Sequence, residues 1–274
     1  MDQEPSVRQV VLATGVSVPY VSAGPASGAP VVLLHAWGES WRSFDRLLPL
    51  LPGTIHAVAM DLRGHGDADK PAAGYSLAEV AADVTAFMDA AGIPSAVLLG
   101  SSSGGYVAQQ VAITSPHRVA GLVLVGSPRS LQRRPAFADE VDQLSEPVDA
   151  AWVRRFLDWF PRSRPVPRWY IEDRVSDGAR MPAHVWRETL AGLVTARPPT
   201  DSATITAPAL IVWGARDQLL TREDQQALAA AIPASRLIVY QDTGHLVLWE
   251  QPERVASDLT AFVNGLESNL SHAP

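Results

Sequence analysis

No cysteine occurs in the 274 residues. That absence excludes disulfides, thiolate metal sites and a cysteine nucleophile together. Charge is sparse as well: Asp, Glu, Lys and Arg make up 19% of the chain, and acids outnumber bases 29 to 22, for a net charge of −7. No basic stretch is dense enough to follow a phosphate backbone, so nucleic acid is not an expected partner. Arg129, Arg133 and Arg134 do cluster, but Asp139, Glu140 and Asp142 follow closely, which reads as a solvated helix face. Long apolar runs are missing too, none approaching the ~18 residues of a membrane span. The start, Met1-Asp2-Gln3-Glu4-Pro5, lacks the basic residues and apolar stretch of a secretion signal. A soluble, cytoplasmic protein is expected, monomeric or homodimeric, without membrane or nucleic acid partners. There is no His-Glu-x-x-His and no Gly-x-Gly-x-x-Gly opening a helix, so neither a metal nor a cofactor is expected.

What is present is a globular composition, 47% hydrophobic, in a chain long enough for one large α/β domain. Short runs rich in β-branched and leucine residues alternate with helical patterns. Val31–Leu34, His56–Met60, Ala96–Leu99, Gly121–Val125, Leu210–Trp213 and Leu237–Tyr240 read as strands buried on both faces. Leu77–Ala91, Gly105–Thr114, Arg222–Ala231 and Pro252–Leu266 read as helices. This alternation predicts a mostly parallel sheet covered on both sides. Val10–Thr14 and Val16–Ser22, parted by Gly15, predict an antiparallel start to it.

The alternation breaks once. Between Ser127 and Ala207 no strand is evident, prolines recur, and the stretch is too long for an ordinary connection. Trp152, Phe156 and Phe160 share one helical face, as do Trp186, Leu190 and Leu193. The expectation is a helical cap over residues 128–207, with 1–127 and 208–274 forming the core domain.

The strongest chemical signal is Gly100-Ser101-Ser102-Ser103-Gly104, a G-x-S-x-G pentad set between a predicted strand and a predicted helix. A sharp strand-to-helix turn there needs glycines where a Cβ would clash. It would expose the Ser102 hydroxyl at the carboxyl edge of the sheet, at a helix amino terminus that favours negative charge. A serine nucleophile needs a base, and the base needs an orienting acid. His245 follows the last predicted strand, and Asp217 follows the preceding one in Trp213-Gly214-Ala215-Arg216-Asp217. Both fall at the same sheet edge, and the order Ser102, Asp217, His245 suits a triad. Asp242, three residues before His245, is the alternative acid. Val125-Gly126-Ser127, after the sixth predicted strand, offers no carboxylate.

With these motifs the chain resembles the α/β-hydrolase superfamily, in particular its small bacterial esterases, lactonases and cofactor-free haloperoxidases. His35-Ala36-Trp37-Gly38 resembles the family's oxyanion loop, with Ala36 where glycine is usual. The resemblance implies that the Trp37 and Ser103 backbone N–H groups hold the oxyanion. Asp61-Leu62-Arg63-Gly64-His65-Gly66 resembles the loop after the fourth strand, and Gly244-His245 with Glu250-Gln251-Pro252 resembles the family's ending. Ser102 stands where dehalogenases and epoxide hydrolases carry aspartate, which excludes both. The implied activity is hydrolysis of a small, uncharged, largely apolar ester or lactone. A C–C bond hydrolase, a perhydrolase or a ligand-binding sensor of the same fold are the alternatives. Trp152, Trp159, His184 and Trp186 are candidate substrate contacts on the cap, and His65 reads as holding its own glycine-rich loop.

Overall fold

Each predicted strand forms in the computed structural model of the chain, which describes residues 6–270. The strands are β1 (Arg8–Val11), β2 (Ser17–Ala23), β3 (Ala29–Leu34), β4 (Ile55–Met60), β5 (Ala96–Ser101), β6 (Val119–Val125), β7 (Ala209–Gly214) and β8 (Ser235–Tyr240). They make one eight-stranded sheet in the order β1-β2-β4-β3-β5-β6-β7-β8. β2 pairs antiparallel with β1 and with β4, and the other neighbours are parallel. This is the α/β-hydrolase fold.

The two-residue side-chain period of the strands divides the core. Val32, Leu34, Leu98, Leu122, Leu124 and Ile211 face one side. There they meet α1 (Leu77–Ala90), α2 (Ser103–Thr114) and α8 (Arg222–Ala231) through Phe87, Tyr106, Val111 and Leu228. Val31, Leu33, Val97, Leu99, Val123, Leu210 and Val212 face the other, against Phe44, Trp249, Leu259 and Val263. Trp249 belongs to α9 (Val247–Glu250), and Leu259 and Val263 to α10 (Pro252–Leu270). β8 departs from the expectation of burial on both faces: most of its residues are half-buried, because it closes one edge of the sheet.

Between β6 and β7 the chain leaves the sheet as α3 (Ala138–Asp142), α4 (Ala150–Phe156), α5 (Arg168–Arg180), α6 (Ala183–Thr195) and α7 (Pro199–Ser202). α3 to α6 share their own apolar cluster, centred on Phe137, Val153, Phe156, Val175, Val185, Trp186 and Leu190. The arginine cluster differs from its expected helix face. Arg129, Arg133 and Arg134 precede α3 in irregular chain; Arg134 pairs with Asp139 and Asp142, and Arg129 with Asp201 of α7.

Candidate active site

The pentad forms a sharp turn from β5 into α2. Ser102 has φ 48° and ψ −118°, the one positive φ at a non-glycine among the described residues. Such a conformation costs on the order of 1–3 kcal/mol and persists only where its surroundings enforce it. The glycines show what enforces it. A Cβ on Gly100 would lie 2.3 Å from the Gly105 nitrogen, and one on Gly104 2.2 Å from the Leu34 carbonyl oxygen. Gly105 is equally constrained, since its Cβ would meet Ser127 Oγ at 1.8 Å. The start of α2 therefore presses directly onto the end of β3.

Three side chains from three loops meet at the carboxyl edge. Ser102 Oγ lies 3.0 Å from His245 Nε2, and His245 Nδ1 lies 2.8 Å from Asp217 Oδ2. The other Asp217 oxygen accepts from the Leu219 and Leu220 N–H groups at 2.8 and 3.0 Å. Backbone donors thus hold one face of the carboxylate and leave the other for the imidazole. Asp242 is elsewhere: its carboxylate faces Arg164 and Gln251. Glu250 steadies the His245 loop, one oxygen accepting from Gly244 N–H at 3.1 Å and the other from Ser163 N–H at 3.0 Å.

The loop after β3 is braced by His35, which is wholly buried. Its Nδ1–H donates to the Ala36 carbonyl at 2.8 Å, and its Nε2 accepts the Leu62 N–H at 2.9 Å. Burial, with His65 nearby, holds its pKa well below the ordinary value, so a neutral ring with one donor and one acceptor suits both bonds. Asp61 pins the same region, accepting from Trp41 N–H at 2.7 Å and Asp67 N–H at 2.9 Å. Burial pushes that carboxyl up to about 7. His65 does hold its loop, donating from Nδ1 to the Arg63 carbonyl at 2.9 Å, while Arg63 grips Asp83 through two bonds of 2.7 Å. The Trp37 N–H, projected by this loop, reaches Ser103 Oγ at 2.8 Å.

Ser102 and His245 open into a cavity of about 920 Å³ between the sheet edge and the inserted helices. Its walls include Trp37, Phe137, Phe156, Trp159, Phe160 and Trp186. Two of the candidate contacts do not line it. Trp152 packs against Phe156 and Trp186 from behind, ring centroids 5.2 and 5.3 Å away. His184 sits two residues before Trp186 on α6, a spacing that turns it away from the face Trp186 presents. Phe137 and Phe160 take the places expected of them. Phe160 continues the stripe begun by Trp152 and Phe156, a signal the sequence carried; Phe137 had none.

A buried polar group that the sequence did not announce borders the same cavity. Arg174 and Asp177 of α5 pair at 2.8 Å with both side chains about 1% exposed. Asp177 accepts from Ser40 Oγ at 2.7 Å, and the Arg174 guanidinium lies 5.0 Å from the Tyr170 ring centre. Glu39 beside them accepts from Ser43 Oγ and from Trp249 Nε1. Burial raises its carboxyl pKa. These ties fasten α5 to the chain leaving β3.

Comparison with known proteins agrees with this architecture. The alpha/beta hydrolase family profile matches residues 31–258. The chain belongs to that family. It is 30% identical over 271 residues to a non-heme chloroperoxidase of Streptomyces lividans, covering 93% of this chain and 98% of that one. It is 26% identical over 276 residues to lipase 3 of a Moraxella species, covering 95% and 85%. An esterase from Exiguobacterium antarcticum superposes with a TM-score of 0.82 at 24% identity over 94% of this chain and all of that one, a likeness of fold. Among the described residues, no helix is long and apolar enough to cross a membrane, and no group of three or more His, Cys, Asp or Glu could hold a metal ion.

Proposed function

We propose that the protein hydrolyses a carboxylic ester or lactone through an acyl-enzyme on Ser102. The observation that carries this reading is the unbroken line from Ser102 Oγ to His245 Nε2 and from His245 Nδ1 to Asp217. Names among its relatives, lipase and esterase, agree with it. In the first half-reaction Ser102 Oγ attacks the carbonyl carbon while His245 Nε2 takes its proton. Asp217 holds the imidazole tautomer and faces the imidazolium that forms. The carbonyl electron pair moves to oxygen, which the loop after β3 and the start of α2 stabilise. Collapse expels the alcohol, protonated by His245. Water then repeats the sequence on the acyl-enzyme and returns Ser102.

The segment 128–207 acts as a cap on the core made by 1–127 and 208–274. Its rings, with Trp37, form a largely apolar wall suited to an uncharged acyl or alcohol group. The test is a serine-reactive phosphonate together with Ser102→Ala. The phosphonate is expected on Ser102 and on neither Ser101 nor Ser103, and the variant should fold and lose about 10⁴-fold or more in kcat. Labelling at another serine, or turnover in the variant, overturns the assignment.

A further inference from the structure

The loop after β3 and the first turn of α2 are in contact through one bond whose direction matters. The Trp37 N–H has a single proton, and that proton is committed to Ser103 Oγ at 2.8 Å. It does not point into open space above Ser102. A serine hydroxyl has two acceptor lone pairs and one proton of its own. Here Ser103 Oγ accepts from Trp37, and among the described residues no acceptor takes its proton. Ser103 is the first residue of α2, where the backbone N–H has no intrahelical partner either. The residue is 9% exposed and lies on the wall of the cavity beside Ser102. One residue therefore brings two unclaimed donors, N–H and O–H, to the cavity wall beside Ser102.

We propose that the Ser103 hydroxyl is itself an oxyanion donor, working with the Ser103 N–H, and that Trp37 N–H acts from behind by polarising it. This rests on Ser102 being the nucleophile. When the Ser102 oxygen–carbon bond forms and the carbonyl electron pair moves to oxygen, that oxygen accepts two bonds from Ser103. The chain Trp37 N–H to Ser103 O–H to oxyanion runs in one direction. Each bond in such a chain strengthens the next, and the gain is largest in a site with little water. The tight seat of Gly104 on the Leu34 carbonyl, where a Cβ would come within 2.2 Å, holds the two partners in register. No proton leaves Ser103 at any point, so the residue returns unchanged after each half-reaction.

The experiment compares wild type, Ser103→Ala and Ser103→Thr with p-nitrophenyl acetate, and measures inhibition by a trifluoromethyl ketone, whose adduct carries an oxyanion. Loss of one such donor lowers kcat by about 10²–10³-fold elsewhere. In Ser103→Ala the freed Trp37 N–H recovers part of this, so a fall of about 10- to 100-fold is expected, with KM little changed. The ketone should weaken by a similar factor, and Ser103→Thr, which keeps a hydroxyl, should recover most of both. A Ser103→Ala enzyme with unchanged or higher kcat, or with its loss confined to KM, overturns the proposal. Phosphonate labelling separates the two readings. Labelled Ser102 with full activity in Ser103→Ala leaves the triad standing and removes this donor, whereas unlabelled Ser102 in the wild type removes both.

Discussion

Phe160 lies against the imidazole of His245, ring centroids 5.6 Å apart and planes inclined by 30°. A residue of the inserted segment thus forms one wall of the proposed base, whose two ring nitrogens face Asp217 and Ser102. Aromatic contacts of this kind contribute about 0.5–1.5 kcal/mol beyond simple burial. Phe160→Ala should lower kcat by up to about tenfold through a less ordered imidazole, and Phe160→Leu should lose less. Steady-state kinetics at fixed pH decide it, and an unaltered kcat in the alanine variant would assign the ring to packing alone.

The two aspartates near His245 should separate cleanly. Asp217→Asn should cut kcat by about 10⁴-fold, because an amide facing Nδ1 favours the wrong tautomer. Asp242 is bonded to Arg164 and Gln251 at the surface, so Asp242→Asn should change kcat by less than about threefold and stability little. Kinetics and thermal melts of both variants check the ranking, which would reverse if Asp242 were the acid.

Trp159 offers the cleanest probe of substrate preference. It lines the cavity yet is 42% exposed, so its removal costs the fold little. Trp159→Ala should raise KM for bulky apolar esters several-fold, on the order of 1 kcal/mol of lost contact, and leave acetate esters nearly unaffected. Equal effects on a series of p-nitrophenyl esters of increasing chain length would show that the ring does not meet substrate. Trp186 is a poorer choice, being fully buried and bonded through Nε1 to the Gly178 carbonyl at 3.0 Å.

His65 carries a pH dependence of stability. Burial holds its pKa down at about 4, against an ordinary 6.5. Between those values the unfolded chain takes up a proton that the folded protein refuses, so acidification favours unfolding. The contribution is full above pH 6.5, falls by about 1.4 kcal/mol per unit below it, and levels off near pH 4. His65→Gln removes the titrating group while its amide N–H can still reach the Arg63 carbonyl. Its stability should therefore fall less steeply than wild type on the acid side, by about that slope. Urea melts from pH 4.5 to 6.5 (on the order of three points) test this, and parallel profiles would contradict it.

Much of this was written in local pattern. Val31–Leu34 and Ala96–Leu99 announced central strands because residues buried on both faces leave no polar alternation to confuse the reading. Ser102, Asp217 and His245 were legible because each follows a strand that ends at the same edge. α5 was not legible. Arg168–Arg180 is rich in charge, and its inner face buries Arg174 and Asp177, an ion pair of 2.8 Å that no local pattern distinguishes from a solvated one. His184 and Trp152 were misplaced for a related reason: a cap helix has two covered faces, and the sequence does not say which one meets the cavity. The resemblance brings Trp37 and Ser103 to one place through their backbone N–H groups, but that the Trp37 N–H bonds the Ser103 hydroxyl, 66 residues away, is written in neither neighbourhood.

Glu250 has a consequence for traffic into the cavity. One carboxylate serves both the His245 loop, through Gly244, and the inserted segment, through Ser163. Lifting the segment at that end would strip a buried carboxylate of a donor and slacken the very turn that presents the imidazole. The same corner therefore works as a fixed pin, which leaves the margin near Arg133 and Trp159, where cavity-lining side chains already stand in water, as the expected way in and out.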